Sequence, residues 1–250
     1  MQEARLVSVQ VGRPRAYLVQ TRPSAPARPL EGRQTGALAP RGGDGQDGGE
    51  AVPATWESGF AKAPVNRPLW LGREQLEGDG QADRKNHGGP DKAVLAYAAS
   101  HYDLWRQELG RALPYGSFAE NFTVDGLDEH AVCIGDVYLV GTAEVEVAQP
   151  RVPCWKIERY WGLPGLTERV RSSGRSGWYL RVRKPGWIQA GQAVHLLQRP
   201  YLEWTVARVN DLIHGRCSSI SALRALLEVP PLAAAVRDQV QQRLQARTGP

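Results

Sequence analysis

Cysteine is scarce in this chain, with three in 250 residues. Cys133, Cys154 and Cys217 form no C-x-x-C pair. That count and spacing argue against a disulfide framework, a zinc ribbon and a four-cysteine iron–sulfur cluster. No apolar run approaches the ~20 residues that cross a bilayer. The start, MQEARLVSVQVGRPR, lacks the apolar core of a secretory signal. The expected compartment is therefore the reducing cytoplasm, away from any membrane. A glycine fingerprint for a flavin is missing as well. So are the clustered basic runs and the aromatic–basic interleaving of a nucleic-acid-binding arm, which argues against that class of partner.

What is present is an ordinary globular composition, 42% hydrophobic and 23% charged. The length suits one large domain, or one domain with an appendage. The net charge of +5 conceals an asymmetry. Residues 1–150 carry 15 Lys/Arg against 20 Asp/Glu, and residues 151–250 carry 16 against 6. Such a basic C-terminal part suits an anionic small molecule, an acidic protein or a nucleic acid. Its scattered arginines fit the last of these least.

Along the chain, residues 4–12 alternate apolar and polar side chains up to a glycine and predict a first strand. Residues 23–54 hold 7 Gly and 5 Pro with no aromatic residue, the composition of a flexible insert. Order is expected to resume near Trp56. Pro90 and Asp91 suit a helix start. Val94, Tyr97, Ala98, His101 and Trp105 then share a helical face up to Gly110, which predicts one helix over 90–110 with His101 as a hydrogen-bonded core residue. Alternating stretches at 131–141, 143–149 and 177–199 predict strands with glycine turns, hence a closed or strongly bent antiparallel barrel. After Pro200, three apolar stripes predict three short helices: Val206/Val209/Leu212/Ile213, Ile220/Leu223/Leu226/Leu227 and Leu232/Val236/Val240/Leu244. The expected fold class is mainly β with helices: a barrel domain over 1–199 and a small three-helix domain over 200–250.

Three stretches carry chemistry. In QPRVPCWKIERY (149–160), Pro150 and Pro153 fix φ and push their predecessors toward extended backbone. The run predicts a stiff, non-helical segment that aims Cys154. Arg151 and Lys156 add the positive surroundings of a cysteine that works as an anion. In GDGQADRKNHGGPDKA (78–93), Asn86 and His87 precede a Gly88–Gly89 pair, where backbone N–H groups can meet an anion or simply turn. In YGSFAENFTVDG (115–126), Glu120 and Asn121 stand between two phenylalanines, where polar groups either satisfy buried backbone or line a site. Cys133, in an alternating run, and Cys217, at a helix entry, fit ordinary small side chains.

GDGQADRKNHGGPDKAV, GSFAENFTVDG, QPRVPCWKI and SSGRSGWYLRV, in that order, resemble the MOSC family in its YiiM-type branch. That family is named after the C-terminal domain of molybdenum cofactor sulfurases. The likeness covers residues 4–12 and 56–199, and the trailing helices resemble the branch's three-helix extension. Ala119 stands where the branch usually has glycine, and the 23–54 insert has no counterpart in it. The resemblance implies a MOSC-type β-barrel and a molybdenum cofactor (molybdopterin) with Cys154 as metal ligand. It further implies an oxidoreductase acting on N-hydroxylated small molecules such as hydroxylaminopurines or amidoximes. Asn86, His87, Gly88, Glu120, Asn121, Arg151, Lys156 and Arg175 are the expected cofactor-binding residues. Arginine is the better fork for the cofactor's phosphate. Electrons would come from a separate flavin or iron–sulfur protein. A non-redox carrier of sulfur or cofactor, using the same cysteine, is the alternative.

Overall fold

The computed structural model describes residues 3–18 and 55–248. The insert expected at 23–54 lies wholly outside the described residues, and a strand begins at Thr55. Twelve strands are present among the described residues: β1 (Arg5–Val11), β2 (Arg15–Leu18), β3 (Thr55–Ser58), β4 (Ala63–Pro64), β5 (Leu69–Leu71), β6 (Val94–Ala98), β7 (Phe122–Asp125), β8 (Val137–Val140), β9 (Ala143–Pro150), β10 (Trp178–Lys184), β11 (Gly186–Ile188) and β12 (Val194–Gln198). Eight of them form one sheet in the order β12-β8-β9-β10-β6-β7-β1-β4. The pairs are antiparallel except β6 with β7. The sheet curls into a half-barrel. Its two sides approach where Leu6 N donates to Gln192 O at 2.9 Å and Val194 N donates to Ala4 O at 2.8 Å.

Residues 90–110 are not one helix. A single 3₁₀ turn at Pro90–Lys92 leads into β6, and helix α2 runs only from Ser100 to Leu109. Three short helices accompany it: α1 (Arg84–His87) before, and α3 (Lys156–Trp161) and α4 (Leu166–Ser173) after. Strand β6, VLAYA, is buried at every position between β10 and β7. A strand covered on both faces has no reason to alternate, so its apolar residues coincided with a helical stripe. Gly110 closes α2 with φ 60°, as expected.

Two further expectations are corrected. The 131–141 strand is confined to β8, and Cys133 precedes it in a turn where its N–H meets Asp136 Oδ2 at 2.9 Å. The segment after Cys154 is helical, because Ile157 and Trp161 of α3 bury on one side. They join Tyr97, Tyr102, Trp105, Phe118, Leu166 and Val170 in a core between α2, α3 and α4.

Helices α5 (Val206–His214), α6 (Ile220–Leu227) and α7 (Ala234–Thr248) form the small C-terminal helical domain. Thr205 and Ser219 cap α5 and α6, accepting from Arg208 N and Ala222 N at 3.1 Å each. Their stripes do not pack only on each other. Val209, Leu212, Leu226, Val236 and Val240 belong to the same core as Val145, Val147 and Leu180 of the sheet. Position 200 thus marks a change of secondary structure, while one core runs across it. No helix among the described residues is long and apolar enough to cross a membrane.

Candidate functional site

Where β9 ends, the chain leaves the sheet under tight control. Arg151 N donates to Gly177 O at 3.0 Å, beside the pairing of Pro150 with Trp178. Two residues on, Pro153 is buried and Val152 faces outward. The Cys154 carbonyl accepts from Ile157 N at 3.2 Å and from Thr167 Oγ1 at 3.3 Å. Trp161 Nε1 donates to Ser117 O at 2.8 Å, which ties α3 to the 115–121 turn. Cys154, half-buried, is therefore fixed between a strand end and a helix start, with the helix anchored in a core.

A cavity of about 70 Å³ lies beside it, and His87, Asn121, Arg151, Cys154 and Lys156 all line it. Residues far apart in sequence thus converge on one place. Arg151 is buried, gives Nη2 to Phe118 O at 3.1 Å, and has no hydrogen-bond partner for Nη1. Lys156 is buried too. No ion pair among the described residues involves either cation. Burial pushes the ionisation of His87 down to about 4, and the positive charges of Lys156 and Arg151 push the same way against Asp83. The imidazole is thus neutral near pH 7, in a cavity with unpaired positive charge.

Sequence reasoning missed other residues of this cavity. Lys62 forms a fully buried ion pair with Asp79. Its ionisation is lowered by burial, with Asp79 opposing. Asp79 also accepts from Gly12 N at 2.9 Å and Asn121 Nδ2 at 2.8 Å. Tyr179 lines the cavity from β10, its ionisation raised by burial with the Arg151 guanidinium pulling the other way. Asp79 lay within the glycine-rich stretch already singled out. Lys62 and Tyr179 carried no local signal.

Not every expected residue faces the cavity. Glu120 is fully buried and acts inward. It accepts from Gly116 N at 2.7 Å, Phe118 N at 3.2 Å, Thr123 Oγ1 at 2.9 Å and the Tyr102 hydroxyl. Arg175 pairs with Glu108 at 2.7 Å and stacks over Trp105, 3.7 Å from the ring centre. Neither these two nor Gly88 lines the cavity. Asn86 lies in α1, next to His87. Ala119, on the cavity wall, holds a left-handed φ of 65°. Cys133 is buried, Cys217 is exposed, and neither lines the cavity. His101 is a core residue as expected, its Nε2 at 2.7 Å from Glu129 Oε2.

Among the described residues, no group of three or more His, Cys, Asp and Glu side chains could hold a metal ion. A metal at Cys154 would need its other ligands from a bound group.

Known proteins resemble this chain in both its sheet and its C-terminal helices. Residues 83–195 match the MOSC domain, and residues 204–247 match the YiiM-like, 3-alpha helix domain. The chain is 40% identical to the uncharacterized protein YflK of Bacillus subtilis (strain 168), over 71% of this chain and 80% of that one. It is 35% identical to protein YiiM of Escherichia coli (strain K12), over 60% and 68%. A protein named reductase from Gibberella moniliformis is 33% identical over 73% of this chain, but this match spans only 32% of that protein. Among solved structures, YiiM from Geobacillus stearothermophilus superposes with TM-score 0.72 at 29% identity, covering 96% of this chain and 99% of that one. The chain belongs to the MOSC domain family, in the YiiM-type branch that carries a C-terminal three-helix extension.

Proposed function

We propose that the chain binds a molybdenum cofactor at Cys154, which lines both this cavity and a larger chamber of about 590 Å³ beside it, and reduces N-hydroxylated small molecules. The observation that carries this reading is the buried, unpartnered Nη1 of Arg151 on the wall that also presents Cys154. A buried cation with an open donor calls for an anion, and the cofactor brings a phosphate. Arg151 and Lys156 would hold that group, and Cys154 would supply a soft sulfur ligand to a thiophilic metal. When bound, the cofactor supplies two-electron redox chemistry, and the protein supplies position and charge.

The overall change is R–NHOH + 2 e⁻ + 2 H⁺ → R–NH₂ + H₂O, with the N–O bond broken and its oxygen leaving as water. Electrons would come from a separate flavin or iron–sulfur protein. The chain's own residues keep the cysteine loop rigid and hold positive potential. His87 lines the cavity, and a neutral imidazole carries one ring N–H and one unprotonated nitrogen, a pair suited to passing a proton.

The test uses full-length protein made in cofactor-producing cells. Stoichiometric molybdenum and pterin, with turnover of a hydroxylamino compound by a chemical electron donor, is the expected result. Failure to retain either molybdenum or pterin would overturn the proposal. Retention without turnover would favour the carrier reading instead.

A further inference from the structure

Strands β5 and β11 form a two-stranded ribbon outside the main sheet, with Trp70 directly opposite Trp187. Leu69, Leu71 and Ile188 of the ribbon are buried, so the alternation of a strand turns both indoles outward. They are 42% and 51% exposed and meet edge to face, with ring centres 5.4 Å apart. Trp155, the third largely exposed tryptophan, lines the chamber beside Cys154. Trp70 and Trp187 line neither that chamber nor the inner cavity.

We infer that this tryptophan pair is the centre of a two-fold interface between two copies of the chain. The inference stands apart from the proposed reduction. Strand addition is not its mode, because the backbone at both indoles is already used. Trp70 N donates to Glu77 Oε2 at 3.2 Å, and Trp70 O accepts from Glu77 N at 2.9 Å. Trp187 N donates to Thr142 Oγ1 at 2.8 Å, and Trp187 O accepts from Thr142 N at 3.0 Å. A partner therefore meets side chains, on a surface whose backbone is fixed beforehand.

Charge decides the occupant. Beside the ribbon, Arg67 pairs with Glu77 at 2.9 Å, Lys184 with Glu144 at 3.9 Å and Arg183 with Glu146 at 3.7 Å. Cations and carboxylates balance in these pairs, so they give no field to draw in a nucleic acid, an anionic membrane or a uniformly acidic protein. A second copy carries the same two signs, and a two-fold axis can set the cations of one copy against the carboxylates of the other. An aromatic centre with a charged rim is also the anatomy of a protein–protein interface. Half of two tryptophans is roughly 200 Å² of apolar surface per copy. That is small beside a standard interface, so the dimer should be weak and form only as concentration rises.

Sedimentation velocity of the full-length protein, from about 1 to 200 µM, tests the interface. Wild type should pass from one chain mass towards two across that range. Trp70→Thr and Trp187→Thr should each raise the dissociation constant at least about 30-fold, the scale of a central interface aromatic. Lys184→Glu and Glu144→Lys should each lose self-association, and an equimolar mixture of the two should regain it. A wild type that keeps the mass of one chain at every concentration would overturn the inference. So would a dimer that both tryptophan variants form with wild-type affinity. Wild type that stays single but binds phosphatidylserine vesicles, with binding lost in Trp187→Thr, would overturn it in favour of a membrane surface.

Discussion

Arg151 spends one guanidinium nitrogen on the carbonyl of Phe118, at 3.1 Å, and keeps another buried without a partner. The first bond ties the cysteine loop to the 115–121 turn, and the second nitrogen stays open. Arg151→Ala should therefore weaken retention of the anionic cofactor about 10- to 100-fold, the loss of a charge-assisted contact of about 1.5–3 kcal/mol. Pterin content after extended dialysis measures it. Retention equal to wild type would make Arg151 a packing residue only.

Cysteine substitutions should separate by position. Cys154→Ser is a small change on a half-buried site, so the fold should persist while N-hydroxyl reduction is lost. Cys217→Ser, on the surface, should leave both turnover and stability near wild type. Cys133 is buried with its thiol 3.4 Å from Leu202 O, so Cys133→Ser should cost at most about 1 kcal/mol and keep turnover. Thermal denaturation and a reduction assay on all three variants make the comparison. Full activity in Cys154→Ser would remove its role as ligand.

Ala119 holds its left-handed φ without the freedom of glycine. That conformation costs an L-residue roughly 1–2 kcal/mol, partly offset by the greater chain entropy glycine loses on folding. Ala119→Gly should stabilise the protein by about 0.5–1 kcal/mol in a urea titration. A loss of stability would show that the alanine methyl makes a contact worth more than the strain.

Stability should also depend on acid through His87. Its ordinary value is 6.5, and burial with Lys156 and Arg151 nearby brings it to about 4. Between those values the unfolded chain binds a proton that the folded chain does not, so stability falls as pH drops through the window and levels off below about 4. His214 is lowered to about 4, by burial first and then Arg216 and Arg171, and adds to the same slope. His87→Gln should flatten the slope of unfolding free energy between pH 6.5 and 4, leaving the part due to His214. An unchanged slope would mean that His87 remains solvated.

Glu120 offers a contrast between support and site. Its carboxylate accepts two backbone N–H groups and two hydroxyls in a sealed interior. Glu120→Ala should cost about 3 kcal/mol or more by stranding those donors. The melting temperature should drop well before any effect on cofactor affinity per folded molecule can be seen. A variant as stable as wild type but unable to hold cofactor would reverse this assignment.

How much of this was legible beforehand depended on whether a residue's neighbours shared its role. The three C-terminal helices were readable because each shows solvent on one side, which imprints a stripe. Strand β6 was misread because it meets no solvent at all, and without alternation VLAYA carries no period of two. Prolines marked Cys154, since a stiff loop needs them locally. Lys62 and Tyr179 reach the cavity from segments whose other residues serve the sheet or a turn, so only folding brings them there. Glu120 and Asn121 were noticed for the right reason, polar groups among aromatics. The choice between lining a site and satisfying backbone needed coordinates: Asn121 does both, while Glu120 does only the second.

The single core that runs from sheet to helices has a consequence for how the molecule comes apart. Ala233 N, just before α7, donates to Ala148 O of β9 at 3.0 Å. A Cβ on Gly135 would lie 2.7 Å from Pro231 Cγ, so the two parts meet almost backbone to ring. Neither part closes its interior alone. Calorimetry should then show one cooperative transition, and cutting the chain at residue 200 should yield two fragments that fold only in each other's presence.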